Sequence, residues 1–276
     1  MTFLPSGSGS LVFIAFEGQD ADASEAASSL VKDIIDAWGL DESELLDTDG
    51  FYEFRFSEPE IERDETGRAS IAWPGVEVHR GEHGGQAVTV IHGHEPGLKW
   101  REFLSLILSE VGEGDSVVLL GGLHAEVAHT RPFPVVANTE DPDLAADLGI
   151  EINSYAGPIG ILGLLGVACS WRGLTAINLW VGVPDYLSDS PSPKAELALA
   201  RAVERTTGVE IDIPILEEES RAWELGADEV VAANPQLADL VRTLEERIDA
   251  TELPEASGEA IAREFERYLR RRRPPE

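Results

Sequence analysis

The sequence predicts an α/β fold, a mixed and mostly parallel sheet flanked by helices, with a helical, acidic C-terminal region. Three observations predict it. Short apolar runs at Leu11–Phe16, Val117–Leu120 and Thr175–Val183 have the character of strands buried on both faces. Stretches with apolar residues at helical spacing separate most of them. Between Phe51 and Gly93 the pattern changes to alternation punctuated by glycine, which reads as antiparallel strands and makes the sheet mixed.

Composition bounds the rest. With 276 residues, 43% of them apolar and 26% charged, the chain can bury a large interior. No apolar run reaches the ~18 residues of a membrane span, and Met1–Ser10 lacks the basic start and apolar centre of a secretory signal. The cytoplasm is the expected location. A net charge of −31 repels phosphate backbones and anionic lipid, so neither nucleic acid nor membrane is expected as a partner. The single cysteine, Cys169, lies in an apolar run and reads as a packing residue. The expected organisation is a flexible lead-in over 1–10, an α/β core over 11–213 and a helical extension over 214–250 packed on it. A linker over 251–258 and a helix with a basic tail over 259–276 follow.

In order, Leu11–Phe16 is the first strand. Asp22 and Glu25 resemble a capping box for a helix carrying Leu30, Val31, Ile34, Ile35 and Trp38 and ending at Gly39. Tyr52, Phe54 and Phe56 suggest a strand whose apolar side is core or an oligomer surface. Ile61 to Ile71 around Thr66-Gly67 suggests a hairpin, and Val76 with Val78 a further strand. A helix from Trp100 to Val111 then joins Val88–Ile91 to Val117–Leu120, a right-handed crossover that makes those strands parallel. The glycine-rich stretch Gly157–Ala168 reads as a helix pressed closely on the sheet or on another subunit. Ser192 caps, and Pro193 opens, a helix through Val203. Amphipathic helices follow from Ile215 to Leu225, after Asn234-Pro235, and after Ser257 through Phe265 and Tyr268.

The candidate site lies where the Val117–Leu120 strand meets Gly121-Gly122 and hands over to His124, Glu126, His129, Thr130 and Arg131. Polar residues there would stand at a strand's carboxyl end, where open α/β sheets place ligands. Tyr155 and Lys194 are added to the set. Lys194 is one of three lysines and sits in a helix's first turn, against the helix dipole, so it reads either as held by a specific partner or, equally, as a surface lysine among many carboxylates. His124, Glu126 and His129 lack the spacing of known zinc motifs, and no metal is expected. His92 and His94 could join them only if the two strand ends are neighbours. No nucleophile elbow or phosphate-cradling loop occurs, so no cofactor is expected and no catalytic residue is assigned. Arg131, before a proline, reads first as a tether to a neighbouring carboxylate and second as an anion ligand.

At His129-Thr130-Arg131-Pro132-Phe133-Pro134-Val135 the sequence resembles the proteasome assembly chaperone 2 family, in particular its long actinobacterial-type members. Similar wording recurs, in order, at Phe51-Tyr52-Glu53-Phe54, Trp73-Pro74, Gly93-His94-Glu95-Pro96, Trp100-Arg101, Ser154-Tyr155-Ala156-Gly157-Pro158, Leu179-Trp180, Pro191-Ser192-Pro193-Lys194-Ala195 and Phe265-Glu266-Arg267-Tyr268-Leu269. The resemblance implies a phosphorylase/hydrolase-like fold and self-association, a trimer included. It also implies proteasome subunits as partners, and it supplies no catalytic residues. Relatives that dock on the proteasome end in hydrophobic-Tyr-any, whereas this sequence ends Pro274-Pro275-Glu276, which argues against that route. The expected function is therefore a non-enzymatic, homo-oligomeric assembly protein. The alternative is a small-molecule enzyme of nucleoside phosphorylase or hydrolase type acting at loop 121–131, or an ATP-grasp-like ligase. The Arg270–Arg273 run is either a solvated tail or a docking element.

Overall fold

The structure, a computed structural model, describes residues 3, 9–18, 21–55, 57–64, 66–187 and 191–251. The readings at Phe56, Phe265, Tyr268, the 252–258 linker and Arg270–Arg273 lie outside the described residues, as does most of the 1–10 lead-in.

An eight-stranded sheet forms the centre. Its strands are β1 (Leu11–Glu17), β2 (Glu42–Leu45), β5 (Val76–His83), β6 (Gln86–His94), β7 (Ser116–Ala125), β8 (Val135–Thr139), β9 (Glu151–Ile152) and β10 (Thr175–Pro184), in the order β2-β5-β6-β1-β7-β10-β8-β9. β6, β1, β7 and β10 run parallel, while β5 and β8 pair antiparallel on either side, so the sheet is mixed and mostly parallel at its centre. β3 (Glu60–Arg63) and β4 (Ala69–Ala72) form a separate hairpin.

Continuous apolar runs give strands covered on both faces. Leu11, Phe13, Val118 and Leu120 turn to a layer made by α1 (Ala26–Trp38) and α5 (Pro193–Thr207). Val12, Ile14, Phe16, Val117 and Leu119 turn to α2 (Trp100–Ser109) and α4 (Ile161–Trp171). Side chains such as Phe13, Phe16 and Phe103 are fully buried, each worth about 1.5–3 kcal/mol of transfer free energy. α3 (Pro142–Leu148), α6 (Leu216–Ala232) and α7 (Pro235–Thr251) complete the described helices. Among the described residues no helix is long and apolar enough to cross a membrane.

Several expectations are corrected. β7 does not stop at its glycines but runs through them to Ala125. The glycines serve close approach: a Cβ on Gly121 would stand 2.3 Å from the Trp180 ring, and one on Gly122 2.9 Å from the Ala23 carbonyl oxygen. The crossover strands are parallel but not adjacent, because β1 lies between β6 and β7, and this separates His92 and His94 from the loop after β7. α1 starts three residues late: Asp22 does cap it, accepting from Ala27 N (2.8 Å) and Ser28 N (3.3 Å), but across a left-handed kink at Ser24 and Glu25 that precludes a capping box. No strand forms at Tyr52 and Phe54. Phe51 N donates to Thr48 O and Leu98 N to Phe51 O, so this backbone is used in turns rather than a ladder. Its apolar residues divide accordingly, Phe51 and Tyr52 buried and Phe54 54% exposed. β2, α3 and β9 escape the sequence reading; β2 and β9 are short, exposed edge pieces without apolar alternation.

Candidate functional site

The loop that follows β7 is built into the acidic helices behind it. His129 is buried, and its backbone N donates to the Tyr186 hydroxyl at 2.8 Å. That phenol, already accepting, donates its own proton to His129 Nδ1 at 2.8 Å, which leaves Nε2–H to donate to Asp228 at 3.1 Å. Both ring nitrogens are thereby committed. Burial pushes the Tyr186 phenol up to about 12, so it stays a neutral hydrogen-bonding group. Thr130 donates to Glu245, and Arg131 forks onto both oxygens of Asp249 at 2.9 and 2.8 Å while also reaching Glu245 at 3.2 Å. The Arg131 guanidinium holds the Asp249 carboxyl below its ordinary value. Arg247 in turn donates to Glu126. Ala128 packs with Val231, Val241 and Leu244 beneath these polar contacts.

Lys194 finds its specific partners here. Its ammonium donates to the His129 carbonyl and to Glu224 (2.7 Å) and stands 5.2 Å above the Phe133 ring. Two charge-assisted bonds and a cation–π contact offset the few tenths of a kcal/mol a cation costs at a helix start. The structure thus brings together Glu126, His129, Thr130, Arg131 and Lys194, each held by the protein's own groups. His124, at the end of β7, has its Nδ1 4.0 Å from Asp185 and without a hydrogen bond. Tyr155 is engaged by its own loop, donating to the Pro158 carbonyl at 2.7 Å.

Two features were not legible in the sequence. The first is a set of buried polar atoms at the carboxyl ends of the central strands: Asp22 Oδ2, Ser24 Oγ, His94 Nδ1 and His124 Nδ1 all lack a hydrogen-bond partner. Burial raises Asp22 to about 6, and His94 Nε2 stands 3.5 Å from Glu17. The left-handed Ser24–Glu25 pair beside them is the sort of backbone strain that a supporting fold must hold in place. The second is a half-open cleft of about 540 Å³ between the 130–135 segment, α5 and α6. Arg131, Lys194, Arg201, Arg205 and Arg221 line it, five of the fifteen basic residues between positions 1 and 251, together with Glu217, which pairs with Arg201 and Arg221, and Glu224, which pairs with Lys194. The i, i+4 spacing of Arg201 and Arg205 on α5 was the available signal, and only folding brings Arg221 of α6 opposite them. On β5 and β6, His92 lies against His79 with ring centroids 5.2 Å apart, and burial first, then the neighbouring His79, keeps its pKa below the ordinary histidine value.

A sheet with parallel central strands and helices on both faces defines an α/β protein, in which the polar loop after β7 is bonded to the acidic helices behind it. The chain matches the PAC2 family over residues 18–231 and belongs to that family. It is similar to a PAC2 family protein from Streptomyces avermitilis, with 36% identity over 84% of this chain and 99% of that one and a TM-score of 0.73. A proteasome-assembly chaperone homologue from Mycobacterium tuberculosis is 32% identical over 84% of this chain and 99% of that one, with a TM-score of 0.72. A second Mycobacterium tuberculosis protein, of unknown function, is 25% identical over 98% and 93% with a TM-score of 0.77. Among curated proteins none matches the chain.

Proposed function

We propose that this chain is a protein-binding assembly factor that acts as a homo-oligomer, with proteasome subunits the first partners to test. Kinship with a proteasome-assembly chaperone homologue supports the class. The observation that carries self-association is the apolar surface around the β3–β4 hairpin. Ile61 and Ile71, paired across the hairpin, are 71% and 57% exposed, and Phe54 lies with its ring 5.5 Å from that of Trp73, itself 61% exposed. Exposed apolar residues grouped in this way mark an interaction surface, whereas scattered ones do not. Light scattering across a concentration series tests it: the chain should form a multimer that Ile61→Lys with Ile71→Glu dissociates without unfolding. A strict monomer at every concentration would overturn the reading.

The basic cleft favours a second reading, the binding of a small anion, consistent with a small-molecule role beside the loop. Its volume suits a small ligand, and Phe133, Val135 and Leu197 supply an apolar floor. Titration with inorganic phosphate and with adenosine monophosphate tests it. Saturable binding lost in Arg205→Ala supports this reading, and absence of binding to either probe counts against it.

A further inference from the structure

On the far side of β1 from the loop, β5 and β6 set two histidines and a glutamate, side chains of metal-ligating type, on one face of the sheet. Glu77 and His79 alternate with buried Val76 and Val78, so they share a face; His92 is the cross-strand partner of Glu77 and stands on the same face. One donor atom from each residue lies within 4.8 Å of the other two. His79 Nε2 is 3.0 Å from Glu77 Oε2.

The hydrogen bonding around His79 is informative. Its Nδ1 is 3.3 Å from the Leu40 carbonyl, which can only accept, so Nδ1 carries the proton. A neutral ring therefore turns the lone pair of Nε2 toward a carboxylate oxygen, two acceptors face to face. Either a second proton on the ring or a cation between the two reconciles them. Metal-bound histidines are commonly held in this way, with the distal ring N–H donated to a backbone carbonyl.

We propose that Glu77, His79 and His92 bind a zinc-class divalent cation, with water at the fourth position. Two imidazoles and one carboxylate suit a borderline first-row ion rather than magnesium or calcium, which prefer oxygen ligands alone. Tetrahedral bonds of ~2.0–2.1 Å keep neighbouring donors roughly 3.3 Å apart, close to the His79–Glu77 spacing already present. His92, whose donor atom lies within 4.8 Å of the other two and whose backbone is fixed in the ladder opposite Glu77, would close the remaining gap by side-chain rotation. The exposed Glu77 side chain leaves solvent access for the ion and its water. Such an ion would tie the β5–β6 pair and, through Leu40, the connection that follows α1.

The test uses the untagged full-length chain, stripped with a chelator, titrated calorimetrically with Zn²⁺ and, separately, with Co²⁺ while visible absorption is followed. One ion per chain and the bands of a low-coordinate Co²⁺ site are expected. Glu77→Gln, His79→Gln and His92→Gln should each weaken binding by at least about tenfold, while His94→Gln and His124→Gln bind as the parent does. Glu77 is exposed, so its substitution keeps the test clear of misfolding even if a histidine variant fails to fold. No saturable binding by the folded parent, or undiminished binding by folded Glu77→Gln, would overturn the proposal.

Discussion

Two buried residues, His129 and Glu196, show how single side chains set the behaviour of this molecule. His129 has no spare valence: Tyr186 satisfies its backbone N–H and Nδ1, and Asp228 accepts from Nε2. Its substitution is expected to act on stability. Tyr186→Phe removes one hydroxyl and strands two His129 groups, at an expected cost of about 1–3 kcal/mol in denaturant unfolding. His129→Ala adds a cavity and should cost more; a neutral Tyr186→Phe would mean that the network does not hold the loop. Glu196, 5% exposed on α5, is pushed up to about 8, first by burial and then by the Asp33 carboxylate on α1. The folded chain therefore keeps a proton that the unfolded chain, with a carboxyl near 4.5, has already released. Its contribution to stability falls as pH rises from about 4.5 to about 8 and is level beyond that. Glu196→Gln cannot titrate and can still donate to Asp33. Its unfolding midpoint should match that of the parent near about pH 5 and exceed it near about pH 9; equal midpoints at both would remove Glu196 as a source of alkaline instability.

At the scale of elements, the glycines of β7 make a sharp case. Gly121 sits flat beneath Trp180 of β10, and a methyl group there must displace the indole. Gly121→Ala is expected to destabilise by about 1–3 kcal/mol through overpacking, with Trp180 fluorescence reporting the displaced ring. An unchanged emission spectrum and midpoint would show that the sheet yields instead. The same glycines explain what sequence reading could reach. Strands covered on both faces announce themselves by continuous apolar runs, so β1, β7 and β10 were legible, and β6 was legible from its alternation; α1, α2 and α5 were legible from their periodicity and α4 from its closely spaced glycines. A glycine kept for clearance looks like a glycine kept for a turn, because the difference lies in Trp180, far away in sequence. Edge pieces such as β2 carry no apolar signal, and the Phe51–Phe54 alternation arose from two residues packing inward and one left outside. Within the site, Lys194 could be picked out because a cation at a helix start is locally unfavourable. The partners of His129, Thr130 and Arg131 come from Tyr186 after β10 and from α6 and α7, roughly sixty to a hundred and twenty residues later, and no local pattern encodes them.

For the whole molecule, charge and apolar surface pull in opposite directions. A net charge of −31 makes each copy repel the next over a distance set by the ionic strength, about 30 Å at 0.01 M and 10 Å at 0.1 M. The apolar residues proposed to join copies, Ile61, Ile71, Phe54 and Trp73, carry no charge and lose nothing to screening. If that surface drives assembly, adding salt removes repulsion without weakening the contact. Sedimentation or light scattering at fixed protein concentration should then show the multimer strengthening between about 0.01 M and 0.2 M sodium chloride. An interface built instead on basic groups, the cleft arginines of one copy meeting the acidic surface of another, carries the opposite sign and would dissociate over the same range. The direction of the salt response therefore assigns the association to the hairpin or to the cleft, and Ile61→Lys with Ile71→Glu should abolish it only in the first case.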